Sequence, residues 1–132
     1  MTALPPLPDA LRAGAQGVYT LEAAASLIIA HGTWLAREDF RDHIYHATQT
    51  ATIDWEAVSR ALNAGELPGS AGENRLLKLA ASLAGQAQVV LGDVVTGLDD
   101  RNIEILVKAV LHASGRRQFP VNPACLAFLA SV

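Results

Sequence analysis

Over most of this chain apolar residues recur at three- and four-residue spacing, the period of a helix with one face turned inward. Between Thr20 and His31 the positions Ala24, Leu27, Ile28 and His31 fall on one stripe. Thr20 is placed to cap the first turn through its hydroxyl, and Gly32 to end the helix in a left-handed conformation. Thr33 follows at once as a second cap, so Gly32-Thr33 predicts a tight helix–helix corner. From Thr33 to about Thr48 the stripe Ala36, Phe40, Ile44 and Ala47 predicts a second main helix, and the polar, β-branched run TQTAT (48–52) a loop.

Asp54 then predicts a cap for a helix reaching Ala64, with Trp55, Val58 and Leu62 inward, Glu56 and Arg60 as a surface pair and Gly65 as its stop. Ser70 and Glu73 match a capping box, in which serine and glutamate each satisfy a backbone donor of the other. The helix they open runs through Ala84. Leu76, Leu77, Leu79, Ala80, Leu83 and Ala84 leave only a narrow polar strip, the mark of a central helix. Val89-Val90-Leu91 leads into a short helix over Leu91–Thr96. Asp99 or Asp100 caps a last strong helix near 100–114, with Ile103, Leu106, Val107, Val110 and Leu111 as its inner face. At the front, Asp9 predicts a cap for a short helix ending near Gly14 or Gly17. At the back, Asn122-Pro123 are a workable start for a short apolar helix over 124–130. The expected fold is all-α: one domain over 1–132, a compact orthogonal or irregular bundle of five or six helices built around 76–84 and 103–111. A Pro-rich leader (1–8) and an apolar tail (118–132) flank it.

Composition supports a packed chain. Hydrophobic residues make up 51% and charged residues 17%, with a mean hydropathy of +0.24, a balance that favours collapse over disorder. The formal net charge of −3 argues against a nucleic-acid footprint, which needs a basic face. The single cysteine makes no internal disulfide and no Cys/His zinc framework. The N-terminus lacks a basic segment followed by an apolar one, so no signal peptide is expected. The longest uncharged stretch, Gln118–Val132, is short of the roughly 20 residues of a membrane span and is broken by Pro120 and Pro123. A cytoplasmic protein with no membrane partner is expected.

Candidate chemistry is sparse. On a helix over 33–48, Asp39, Asp42, His43 and His46 would share one face, with Asp39–His43 and Asp42–His46 each four apart. Carboxylate–imidazole pairs so spaced can hold a metal or orient a general base; the alternative is a solvated polar face. His31 and His112 sit near helix C-termini, where the dipole favours imidazolium. Cys125, amid Leu126, Phe128 and Leu129, reads as an inert apolar thiol. Residues 54–84 read helix–turn–helix, yet the second helix is spent on leucine and alanine rather than on base-reading groups. Arg116 and Arg117, with Arg75 and Lys78, are cations that could touch phosphate, but four do not make a footprint. Gly69-Ser70-Ala71-Gly72 has no following Lys-Ser/Thr and is not a phosphate loop.

Three segments, HGTWL (31–35), GELPGSAGENRLLKLAASLAG (65–85) and TGLDDRNIEILVKAVLHASG (96–115), resemble small uncharacterised helical proteins of high-GC actinobacteria. The resemblance implies a bacterial cytoplasmic origin and carries no activity. The expected function is therefore non-catalytic protein binding, as an adaptor, inhibitor or assembly subunit, with no cofactor and with a protein partner or self-association. Phe119, Val121, Leu126, Phe128 and Leu129 are the expected contact residues. A metal-dependent enzyme or sensor on Asp39, Asp42, His43 and His46 is the first alternative, and a weak nucleic-acid regulator using Arg116 and Arg117 the second.

Overall fold

A computed structural model of the chain describes residues 5–115. Within them the order is α1 (Leu7–Ala15), α2 (Tyr19–His31), a 3-10 turn (Trp34–Ala36), α3 (Glu38–Arg41), β1 (Ile44–His46), β2 (Ala51–Ile53), α4 (Trp55–Asn63), α5 (Ala71–Leu83), α6 (Leu91–Val95) and α7 (Asp100–Ala113). The molecule is mostly helical. It is not purely α, however, and its seven α-helices among the described residues exceed the five or six expected.

The helix ends follow from local chemistry. Asp54 accepts from the Ala57 N–H at 3.1 Å, and Asp99 accepts from the Asn102 N–H at 2.8 Å. Ser70 and Glu73 form the expected capping box: the Glu73 N–H donates to Ser70 Oγ, and the Ser70 N–H donates to Glu73 Oε1. Gly32 closes α2 at φ +84°, a conformation that glycine adopts without a Cβ penalty. Two ends differ from expectation. The first turn of α2 lacks a side-chain cap because the helix begins at Tyr19, placing Thr20 inside it. α1 begins at Leu7, with Pro8 in the first turn, where its missing N–H is no loss. The Pro-rich stretch therefore runs into a helix rather than ending before it, and Asp9 lies inside that helix.

The largest departure lies at 33–53. The expected second main helix is replaced by the 3-10 turn, the single-turn α3 and a two-stranded antiparallel hairpin, with Ile44 opposite Ile53, Tyr45 opposite Thr52 and His46 opposite Ala51. Ile44 and Ile53 are both buried, while Tyr45 and Thr52 face solvent. β2 shows the strand period of two in full, whereas in β1 His46 is exposed along with Tyr45.

α2 is the hub. It packs most extensively on α7, then on α5 and α1. The stripes of α5 and α7 thus meet chiefly through α2 rather than directly. Ala23, Ala24, Leu27 and Ile28 of α2, Leu76, Leu77 and Ala80 of α5, and Trp34, Phe40 and Val58 fill one core. β2 lies on α1, where Gly14 allows an approach so close that a Cβ there would stand 2.1 Å from the Ala51 carbonyl oxygen. On α7 the buried residues are Leu106 and Ala109. Val107 and Val110, expected inward, are 36% and 51% exposed, because the apolar arc of this helix is wider than the face that α2 covers.

Candidate functional site

The four residues of the Asp/His face do not share a helix. Asp39 lies in α3, Asp42 and His43 in the link that follows it, and His46 in β1. Asp39 is already engaged. Arg37 Nε and Nη2 donate to its two carboxylate oxygens at 3.0 and 2.5 Å, and this fork holds the Asp39 carboxyl below its ordinary range. The backbone of His43 closes the hairpin, its carbonyl accepting from the Asp54 N–H at 2.8 Å. Among the described residues no group of three or more His, Cys, Asp or Glu side chains could hold a metal ion. The helical spacing that suggested such a centre is absent because the chain turns twice between Arg37 and Ile44. Arg116, Arg117, Phe119, Val121, Cys125, Leu126, Phe128 and Leu129 lie outside the described residues.

The structure does assemble one polar knot that the sequence did not signal. The Arg37 guanidinium lies 4.5 Å from the centre of the Trp34 ring, grips Asp39 and donates to the Pro68 carbonyl. Trp34 Nε1 donates to the Glu73 carbonyl at 3.1 Å, so the knot ties the 3-10 turn to the start of α5. Glu73 is held below its ordinary range, chiefly by the Ser70 backbone N–H. His31 is pushed down from 6.5 by burial, which outweighs the Glu73 carboxylate. Its Nδ1 is buried without a hydrogen-bond partner. The helix dipole at the end of α2 favours the charged imidazole, but loss of solvation wins. Arg37, Asp39 and Glu73 are each committed to a neighbour. The arrangement fixes the corner between the 3-10 turn and α5.

A second polar contact joins the ends of α2 and α7. His112 Nε2 lies 2.6 Å from Glu22 Oε1, and the Tyr19 ring meets the imidazole edge-on. Glu22 also accepts from the Gly17 N–H at 2.8 Å. Beside this contact a cleft of about 460 Å³ opens between α2 and α7, with Leu27, Ile105 and Ala109 in its lining. Its cations are answered locally: Arg12 by Asp9 at 3.5 Å and Lys108 by Glu104 at 3.1 Å.

A wider cleft, about 530 Å³, lies among α4, α5 and the segment leading into α6. Leu62, Val89 and Val94 give it apolar lining; Gln86, Gln88, Lys78 and Asp93 add polar groups. Val90, which also lines it, is 70% exposed, and Leu91, the first residue of α6, is 60% exposed. From sequence, Val89-Val90-Leu91 reads as a short strand or, lacking a partner strand, as a lead into α6, and neither marks a surface. The usable signal was three consecutive apolar residues with no helical period, bounded by Gln88 and Gly92. This apolar edge with a polar surround is the candidate functional surface.

Compared with protein-family models, with curated proteins and with solved structures, the chain matches none.

Proposed function

We propose that this domain is a non-catalytic protein-interaction module, an adaptor, inhibitor or assembly subunit acting in a bacterial cytoplasm, and that it presents Val90 and Leu91 to a protein partner. The observation that carries the reading is that pair of adjacent aliphatic side chains, 70% and 60% exposed, at the edge of a cleft with a polar surround. Single exposed aliphatics are ordinary on a protein surface. An adjacent pair beside a concavity matches the anatomy of an interface, an apolar centre within a polar rim. Among the described residues the same cleft holds only Lys78 and Asp93 as ionisable groups, too few for an acid–base mechanism that also positions a substrate. The formal charge of −3 gives the surface no general attraction for a polyanion.

The test is a paired capture. Native protein and a Val90→Asp/Leu91→Asp variant, both tagged, are cross-linked in lysate of the source organism, after matched melting curves establish that both are folded. A specific protein retained by the native form and lost from the variant supports the reading. Identical retention by both forms, or retention of neither beyond background, defeats it.

A further inference from the structure

α7 carries two apolar faces, and the described residues cover one of them fully and the other only in part. Leu106 and Ala109 pack inward. About a quarter-turn away, at 100° per residue, Ile103, Val107 and Val110 follow each other at i, i+4 and i+7. Val107 and Val110 stay 36% and 51% exposed, and Ile103 is half-buried. Valine at an exposed helix position restricts its rotamers, and at Val110 about half of the side chain gains no burial in return. This stripe leaves apolar surface that a further segment can cover.

We propose that the cover is the chain's own apolar segment 119–132, packed along Ile103, Val107 and Val110. The surface is distinct from the Val90/Leu91 edge, so this inference stands apart from the function proposed above. Three observations select this occupant. First, α7 ends at one end of the stripe. Gly115 has φ +84° and lies against Tyr19, within 3.1 Å of its ring if a Cβ is placed there. The left-handed residue turns the chain off the helix axis, and Val110 is only about 7–8 Å back along that axis. Second, the length is sufficient. Seventeen residues follow Gly115, with a fully extended reach of roughly 56–61 Å, whereas the fourteen residues of α7 span about 21 Å. Third, the composition is complementary. Arg116-Arg117-Gln118 supply a polar tether, after which Phe119, Val121, Leu126, Phe128 and Leu129 stand in a stretch without a charged side chain. A tether this short holds the segment at an effective concentration near millimolar, which favours it over the same segment of a second copy.

The chain contains its own reporter. Cys125 is its single cysteine and lies within the proposed cover. In the full chain, its rate of reaction with Ellman's reagent should be at least about tenfold below that of the urea-unfolded chain, and independent of protein concentration. Val107→Asp/Val110→Asp should restore the fast rate with the far-ultraviolet dichroism retained. A second variant, Phe128→Asp, lies outside the described domain and should release Cys125 equally, so a folding failure of the first variant does not decide the matter. A native rate equal to the unfolded rate overturns the proposal. So does protection that both variants leave unchanged. Protection that strengthens with protein concentration overturns it in favour of a second copy.

Discussion

Gly14→Ala is the sharpest test of how the hairpin is held. In an ordinary helix interior this change stabilises by up to about 1 kcal/mol, because alanine loses less backbone freedom than glycine on folding. Here the added Cβ would stand 2.1 Å from the Ala51 carbonyl oxygen and 2.9 Å from its carbonyl carbon. Both neighbours are backbone, so no side chain can swing aside. An ordinary carbon–oxygen contact is about 3.3 Å or longer, so α1 and β2 must part by roughly 1 Å. That movement loosens the packing beside Leu11, Ala51 and Ile53, all buried. Overpacking of this kind costs about 1–3 kcal/mol. Set against the propensity gain, the expected outcome is a net loss of about 1–2 kcal/mol. The assay is urea unfolding followed by tryptophan fluorescence and far-ultraviolet dichroism, with Gly72→Ala as the internal control. Gly72 lies in the first turn of α5, and a Cβ there meets nothing within 4 Å, so this control should be neutral or stabilising. If Gly14→Ala is as stable as the native chain, or more so, the close approach of α1 to β2 is wrong. Equal losses at both positions would show that glycine in these helices matters for a reason other than contact.

Three further outcomes follow from the capping, stacking and burial described above. Ser70→Ala removes one half of the capping box and should lower stability by about 1 kcal/mol, or roughly 3–5 °C in Tm for a chain of this size; an unchanged Tm would contradict the Ser70–Glu73 geometry. Arg37→Lys keeps the charge but loses the fork on Asp39 and the flat stacking on Trp34, and should cost about 1–2 kcal/mol with a change in tryptophan emission. His31 is pushed below its ordinary 6.5 by burial, so the unfolded chain takes up its proton first. Its share of stability is complete above pH 6.5 and is lost as pH falls from there through the lower folded value. In His31→Gln the midpoint of urea unfolding should change less between pH 7 and pH 5.5 than in the native chain, and an equally steep profile in both would refute this assignment.

The caps and stops could be read from the sequence because they are local. Asp54, Ser70 with Glu73, Asp99 and Gly32 each act within a few residues of themselves, so α4, α5, α7 and the end of α2 lie close to where the pattern put them. Candidate chemistry was read less well. The proposed grouping of Asp39, Asp42, His43 and His46 depended on a helix over 33–48. Phe40 and Ile44 do point inward, but one does so from a single helical turn and the other from a strand. A four-residue spacing fits both, and only the pairing of Ile44 with Ile53 separates them.

Amphipathic period and end chemistry fixed, from the sequence alone, that most of this chain is helical and where most of its helices stop. Tertiary structure decided which part of each apolar arc is buried. Periodicity marks an arc as apolar without saying how much of it a neighbour will cover, and α2 covers Leu106 and Ala109 while leaving Val107 and Val110 outside. It also decided the hairpin. Three-residue strands gain their stability from the partner strand and from α1 behind them, through an approach at Gly14 that depends on residues thirty-seven positions apart.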